Sequence, residues 1–251
     1  MNSLSVTLAL AIACILCSCR DVSGPEWDNV VIAHPLVMNL ASEQHLTLNG
    51  SDSSYSESVT AYFRNPAGGD TGHAVPVGGV LLNGSAIPRR DGNVYADSAR
   101  AATLPLLRGL GYNRWHVDGL GAIPTFSDSI SSPASFLRMR SPAPTDTIRL
   151  SHGLLLAWDT VGRPASAQAA LVITGMVRRG TDSSITTLGY ILADNGAFAI
   201  APEGLAAQGW IPGSATILLQ RYLNRDTLAP GRVRYRIAEI QTIEMHTTFA
   251  R

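Results

Sequence analysis

Short apolar runs with a period of two, separated by turn signals, are the feature that most limits how this chain can fold. In SVTAYFR, residues 58–64, the side chains of Val59, Ala61 and Phe63 fall on one face of a strand. Asn83-Gly84 separates two apolar runs, and this dipeptide favours the positive φ angles of a hairpin turn. Because such runs recur along the chain, the sequence predicts an all-β protein made of antiparallel β-sandwiches.

The second half of the chain repeats this pattern. In GLLLAWD, Leu154, Leu156 and Trp158 share one face, so Trp158 is predicted to lie in a core. A second hairpin is predicted to turn at Asn195-Gly196. The last two predicted strands are RVRYRIAEI, residues 232–240, and TIEMHTTF, residues 242–249.

A segment rich in Pro and Ser divides the chain into two parts. This segment, GLGAIPTFSDSISSPASFLRMRSPAPTD, spans residues 119–146 and predicts a domain boundary near Arg140. The full length of 251 residues fits two domains of roughly a hundred residues each.

The N-terminus carries an apolar segment, LSVTLALAIACIL, from Leu4 to Leu16. This segment is short for a transmembrane helix and has the length of a signal-peptide core. The sequence Leu16-Cys17-Ser18-Cys19 resembles the bacterial lipobox, which has an aliphatic residue three positions before the modified cysteine. The resemblance implies that Cys19 is alkylated with diacylglycerol and becomes the first residue of the mature chain. The MNS start lacks the usual positive charge, and the alternative is an apolar segment that is retained.

The cysteines add one consequence. All three, Cys14, Cys17 and Cys19, lie in this N-terminal region. If cleavage precedes Cys19, the mature chain has one lipidated cysteine, and neither a disulfide nor a cysteine metal site can form. Arg20, rather than Asp, follows Cys19, which favours the outer membrane. The expected location is therefore the bacterial cell envelope, with a membrane lipid as partner through Cys19.

A second resemblance covers most of the mature chain. The segments VLLNGSAIPRRDGNVYADS, SPAPTDTIRLSHGLLLAWD and ILADNGAFAIAP are similar to those of secreted bacterial lipoproteins built of immunoglobulin-like β-sandwiches. That family has no agreed activity, so no catalytic residue is carried over from it. The expected fold class is all-β, with two immunoglobulin-like β-sandwich domains after a lipoprotein signal peptide. The expected segments are a signal peptide at 1–18, a lipidated tether at 19–29, and sandwiches at 30–140 and 141–251.

The sequence gives no catalytic signature. Nineteen basic and nineteen acidic residues balance, which argues against nucleic acid as a partner. No nucleophile elbow, phosphate-binding loop or zinc motif occurs, so no catalytic residue, metal or cofactor is predicted, and the protein is expected not to be an enzyme. His116 and His246 are predicted on solvated strand faces. A Ser/His/Asp triad assembled across the fold stays open, because sequence spacing does not constrain it.

Two features are candidate ligand contacts. Arg232, Arg234 and Arg236 form a stripe that would meet sugar acids, phosphates or anionic lipid, the alternative being the solvated face of an amphipathic strand. Trp210 would stack on a sugar ring, the alternative being burial in a covered corner.

Three functions follow as hypotheses. The first is a lipid-anchored protein with a non-catalytic binding or assembly role, whose partner is an envelope protein or a glycan. The second is a carbohydrate-binding or adhesion module. The third is a hydrolase on a jelly-roll scaffold, for which acids near strand ends are the candidates: Asp118, Asp159, Glu239 and Glu244.

Overall fold

The computed structural model describes residues 36–64, 75–100, 111–121, 123–133, 135–230 and 233–251. The predictions for the signal peptide, the lipidated Cys19, the tether and Arg232 lie outside these residues. Nearly all regular structure among them is β-strand, which confirms the all-β class. The one α-helix that they contain, α1 (Pro202–Ala207), has six residues, and no described helix is long and apolar enough to cross a membrane.

The described part of the chain contains fifteen strands, which fall into three sheets. Their bounds are β1 (Leu36–Asn49), β2 (Asp52–Phe63), β3 (Gly79–Leu82), β4 (Ser85–Ala86), β5 (Tyr95–Arg100), β6 (Tyr112–Asp118), β7 (Phe126–Ser131), β8 (Met139–Ser141), β9 (Thr147–Arg149), β10 (Leu154–Trp158), β11 (Gln168–Arg179), β12 (Asp182–Ala193), β13 (Ala197–Ile200), β14 (Gly213–Ala229) and β15 (Val233–Ala250).

The large sheet has eight strands and joins both halves of the sequence. Seven of them follow the order β12-β11-β14-β15-β1-β2-β5, and β9 pairs with the end of β15. The β1–β15 and β9–β15 pairs are parallel, and the others are antiparallel. The small sheets are β4-β3-β6-β7, called here the first small sheet, and β13-β10-β8, the second.

The hairpin predicted at Asn83-Gly84 is confirmed. These residues connect β3 to β4 and have φ angles of 52° and 85°. Positive φ at both central positions matches the twist of the flanking strands, and glycine reaches it without a steric penalty. Val59, Ala61 and Phe63 also lie on one buried face of β2, as their spacing predicts.

The hairpin predicted at Asn195-Gly196 is wrong. β12, before the turn, pairs with β11, whereas β13, after the turn, pairs with β10 in the second small sheet. The chain therefore crosses from one sheet to another here. Asp194 at this crossing is 2% exposed and contacts side chains of both sheets. These contacts place β12 in one sheet and β13 in the other.

Two hydrophobic cores lie on one face of the large sheet, called here the inner face. Core 1 contains Val80, Trp115 and Phe126 of the first small sheet, and core 2 contains Leu156 and Trp158 of the second. Trp158 is 3% exposed, so its predicted core position is confirmed.

β14 and β15 contribute to both cores. β15 gives Tyr235 and Ile237 to core 1 and Met245 and Phe249 to core 2. The two strands predicted at 232–240 and 242–249 are one strand of 18 residues, β15, over the described part. Core 1 draws most of its residues from before Arg140 and core 2 from after it, while the large sheet is continuous across them. The immunoglobulin-like assignment of two domains stays a prediction.

Candidate functional site

A belt of polar side chains crosses the inner face of the large sheet between the two cores. Glu57, Gln44, Gln241 and Arg221 are successive cross-strand partners from β2 through β1 and β15 to β14. All four are at most 6% exposed. Buried polar groups on this scale need partners, because an unpaired one costs about 1–3 kcal/mol.

Glu239 is the centre of the belt on the side of core 1. Its carboxylate accepts hydrogen bonds from Ser42 Oγ at 2.5 Å and from Asn113 Nδ2 at 2.6 Å. Ser132 Oγ donates to its other oxygen at 3.3 Å. Since Asn113 lies on β6, Glu239 connects the large sheet to the first small sheet.

The electrostatics of Glu239 are those of a buried acid without a cation. Burial raises its pKa to about 7, and the negative charge of Glu57 adds to the rise. The hydrogen bonds from Ser42 and Asn113 oppose this rise without cancelling it. With 1% of its surface exposed, Glu239 has no access to a ligand, so its role is structural.

Asp194 is the corresponding acid on the side of core 2. Its Oδ2 accepts a hydrogen bond from Arg221 Nε at 2.6 Å, and its Oδ1 accepts one from Trp158 Nε1 at 2.6 Å. Arg221 also donates to the carbonyl oxygen of Asp159. This buried ion pair connects the large sheet to β10 of the second small sheet.

The first small sheet carries a hydroxyl–imidazole–carboxylate row on its solvent face. His116 Nδ1 lies 2.7 Å from Ser127 Oγ, and His116 Nε2 lies 3.0 Å from Asp118 Oδ1. His116 and Ser127 are direct cross-strand partners, and Asp118 is two residues further along β6. The side chains of His116 and Asp118 are 38% and 57% exposed, so water screens the pair.

A groove lies on the large sheet, on its face away from the cores. This face is called here the outer face, and the groove has a volume of about 990 Å³. Hydroxyl side chains dominate its lining, together with His246, Asp146, Met176 and Ile185. The hydroxyls are those of Thr145, Thr147, Thr174, Ser214, Thr216, Thr247 and Thr248.

A chain of polar contacts leads along the outer face into this groove. His246 Nδ1 lies 3.2 Å from Thr216 Oγ1, and its Nε2 lies 3.4 Å from Glu244 Oε1. The other oxygen of Glu244 lies 3.1 Å from His45 Nε2. The hydrogen bond with His45, opposed by burial, lowers the pKa of Glu244. The ring of His246 therefore lies between the hydroxyl of Thr216 and the carboxylate of Glu244 at the wall of the groove.

None of the described residues predicted as ligand contacts lines this groove. Trp210 is 5% exposed, packs edge-on against Phe249 at 5.5 Å between ring centroids, and donates its Nε1–H to Gln208. It therefore fills core 2 and presents no ring face to solvent.

The arginine stripe is paired within the chain where it is described. Asp226 Oδ2 accepts a hydrogen bond from Arg234 at 2.6 Å, and Asp226 Oδ1 accepts one from Arg236 at 2.6 Å. Burial would raise the pKa of Asp226, but the hydrogen bonds from Arg236 and Arg234 outweigh it and lower that pKa. Both guanidinium side chains are 16% exposed, so they form a clamp around Asp226 at the opposite end of β15 from the groove.

Sequence reasoning missed the groove and the belt. The groove is assembled from β1, β9, β11, β12, β14, β15 and two turns, and hydroxyl residues are too common to mark it. The belt did leave a signal: Glu239 and Gln241 interrupt the apolar alternation of Val233, Tyr235 and Ile237. Because of this interruption, the sequence pattern predicts two strands where the structure has the single strand β15.

Within the described ranges, no group of three or more His, Cys, Asp or Glu residues is arranged to hold a metal ion. Comparisons with known proteins gave no further identification, since no family model, no curated protein and no solved structure matches this chain. The resemblance to secreted bacterial lipoproteins stays a prediction.

Proposed function

We propose that this chain is a lipid-anchored protein of the bacterial cell envelope with a non-catalytic binding role, and that its ligand lies in the groove of the outer face. The observation that carries the binding role is the groove's lining of seven hydroxyl side chains around one histidine. Hydroxyls both donate and accept hydrogen bonds without a net charge. Such a surface suits a neutral ligand that is rich in hydrogen-bonding groups.

The anchor rests on the lipobox resemblance at Cys19. Cys19→Ser should abolish incorporation of labelled palmitate in a bacterial host and leave the precursor uncleaved. Cys17→Ser is the matched control and should leave both unchanged. Labelling that is lost in Cys17→Ser or Cys14→Ser, and kept in Cys19→Ser, would reject the proposed attachment site.

The groove is tested by removing hydroxyls while keeping the shape of the side chains. Thr174→Val and Thr216→Val should each weaken binding of uncharged oligosaccharides or uncharged peptides, presented as arrays, by about tenfold per lost hydrogen bond. Thr60→Val is the control, since Thr60 lies on β2 and does not line the groove. Equal binding by all three variants and the parent chain would reject the groove as the binding site.

A carbohydrate-binding or adhesion role is the sharper form of this proposal. The hydroxyl lining supports it, because sugars are bound through dense hydrogen bonds as well as through ring stacking. The buried position of Trp210 makes the hydrogen bonds the principal contribution. A hit among neutral glycans that is lost in Thr174→Val would support this form, and hits among peptides alone would reject it.

A hydrolase is the second candidate function, because Ser127, His116 and Asp118 stand in a row within hydrogen-bond distance. A serine-reactive fluorophosphonate should then label the parent chain and fail to label Ser127→Ala. Ser129→Ala is the control, since Ser129 lies two residues further along the same strand. Absence of labelling, or equal labelling of Ser127→Ala, would reject this candidate.

A further inference from the structure

The strand β12 forms one edge of the large sheet. It pairs with β11 over all twelve of its residues, from Asp182 to Ala193, without a shift in register. No strand of the described residues pairs with its other side. A long, regular edge of this kind offers a row of unpaired main-chain donors and acceptors to another strand.

This edge lacks the features that usually prevent pairing between molecules. Apart from Asp182 at its start, β12 has no charged residue, and it contains no Pro and no bulge. The opposite edge, β5, has only six residues and carries Asp97 and Arg100. Short length and charge protect β5, whereas β12 is left open.

The hairpin geometry identifies which main-chain groups face outward. Arg179 and Asp182 flank a two-residue turn, so they form a hydrogen-bonded pair. Because such pairs alternate along an antiparallel ladder, the even-numbered residues of β12 bond to β11. The N–H and C=O groups of the odd-numbered residues, from Ser183 to Ala193, therefore point to the free edge.

The outer side of this edge is apolar and open. Ile185 is 73% exposed and Ile191 is 58% exposed, and both lie on the outer face of β12. Between them, a methyl group added at Gly189 would meet no atom within 4 Å. Two large apolar side chains thus flank a flat patch beside the free main-chain groups.

We propose that β12 pairs with β12 of a second copy of this chain, in antiparallel orientation about a two-fold axis at Leu188. The axis sets Ile185 of each copy opposite Ile191 of the other, and Thr187 opposite Gly189. All of these are odd-numbered residues, so they form the hydrogen-bonded pairs of the new ladder.

The chemistry of the strand favours a second copy as the occupant. The ladder from Ser183 to Ala193 contains no charged residue, so neither copy brings a charge of like sign into it. At each end of the new ladder, Ile185 of one copy lies beside Ile191 of the other on the outer face, so the two exposed isoleucines of each β12 gain an apolar contact. The joined sheet would have sixteen strands, with the groove of each copy on the same side. This assembly goes beyond the proposed binding role and does not depend on it.

The first test is the oligomeric state of the full chain in mild detergent, measured by sedimentation at several concentrations. The parent chain should be a dimer, and Ile191→Lys should raise the dimer dissociation constant at least about tenfold, because the lysine replaces a buried apolar contact. Val161→Lys is the matched control, since Val161 is 72% exposed and lies outside β12. Circular dichroism should confirm that both variants are folded.

The second test fixes the register. The axis brings the two Leu188 positions to a Cα separation of about 4.5 Å, which a disulfide can span. Leu188→Cys should therefore form disulfide-linked dimers on mild oxidation, above the background of the parent chain. In Thr186→Cys the two positions would lie about four residues apart along the ladder, roughly 14 Å, so no dimer should form.

A parent chain that is monomeric at every soluble concentration would overturn the proposal. So would a dimer that Ile191→Lys and Val161→Lys affect equally. Crosslinking through Thr186→Cys without crosslinking through Leu188→Cys would reject the axis. Because neither Ile191 nor Val161 lines the groove, loss of the dimer and loss of ligand binding are distinguishable.

Discussion

Two buried acids connect the large sheet to the two small sheets, and they do so with different partners. Asp194 meets a guanidinium, that of Arg221, and the indole N–H of Trp158. Glu239 meets only neutral donors, which belong to Ser42, Asn113 and Ser132. Both acids are at most 2% exposed, so they are buried to nearly the same extent. They differ in that only Asp194 has a cationic partner.

This difference decides how each contact depends on pH and on mutation. A buried ion pair tolerates the loss of one partner poorly, because the other charge is left without compensation. A buried acid that has only neutral donors is instead stabilised in its protonated form. Burial therefore raises the pKa of Glu239 to about 7. The contact to core 2 should therefore be sensitive to substitution and the contact to core 1 sensitive to pH.

The largest effect is expected at the ion pair. Asp194→Ala leaves the guanidinium of Arg221 buried without its anion, and the free energy of unfolding should fall by about 3–5 kcal/mol. Urea unfolding followed by tryptophan fluorescence measures this change. Asp91→Ala is the control, since Asp91 is exposed in a short turn and should change stability by less than about 0.5 kcal/mol. Similar losses in the two variants would contradict the importance of the pair.

The second effect is a pH dependence that arises from Glu239. Its pKa rises from 4.5 to about 7 on folding, so the folded chain holds a proton that the unfolded chain releases. The resulting stabilisation is fully present below pH 4.5 and is lost as the pH rises through 7. At about 1.4 kcal/mol per pKa unit, the loss between pH 4 and pH 8 is on the order of 3 kcal/mol.

Glu239→Gln isolates this contribution from that of other titrating groups. Glutamine keeps an oxygen that accepts the hydrogen bonds of Ser42 and Asn113 but does not titrate. The difference in unfolding free energy between parent and variant should therefore change steeply from pH 5 to pH 8. Parallel pH profiles for the two proteins would contradict the raised pKa.

Sequence patterns predicted the parts of this fold that depend on local physics. The spacing of Val59, Ala61 and Phe63 and the turn at Asn83-Gly84 are determined by neighbours a few residues away, and both predictions are confirmed. The same dipeptide at Asn195-Gly196 misled, because the contacts of Asp194 with Arg221 and Trp158 direct the chain to another sheet. Those contacts join residues that are 27 and 36 positions apart in sequence. Hydrophobic periodicity, which is read over a few neighbouring residues, does not predict such contacts.

The candidate site was less predictable than the fold. The groove draws its lining from six strands and two turns, which come together only through the pairing of strands in the large sheet. The arginine stripe was visible in sequence, yet its partner Asp226 lies on the neighbouring strand β14. The alternation of residues along a strand predicts on which face of the sheet a side chain lies. It does not predict which side chain of the neighbouring strand will contact it.

A third, smaller effect shows what exposure does to an acid–arginine contact. Asp226 is 24% exposed, unlike Asp194, although it binds two guanidinium groups. Asp226→Asn should lower the free energy of unfolding by only about 1 kcal/mol at neutral pH, and less in high salt. Since the pKa of Asp226 is lowered, its contribution is present above about pH 4 and is lost as the pH falls. A loss comparable to that of Asp194→Ala would show that burial is not the deciding variable.

The smallest effect is expected at His116, which lies on the solvent face of β6, a strand whose other face is buried. Asn113 points inward, is 1% exposed and donates to Glu239, whereas His116 points outward to Ser127 and Asp118. Asn113→Ala leaves Glu239 with one donor fewer and should cost about 1–3 kcal/mol. His116→Ala gives up two contacts that water can replace, and should cost less than about 0.5 kcal/mol. If urea unfolding shows a larger loss of stability for His116→Ala than for Asn113→Ala, the row on the solvent face is a structural contact as strong as the buried ones. Hydrogen exchange of β6 and β7 would then locate its effect.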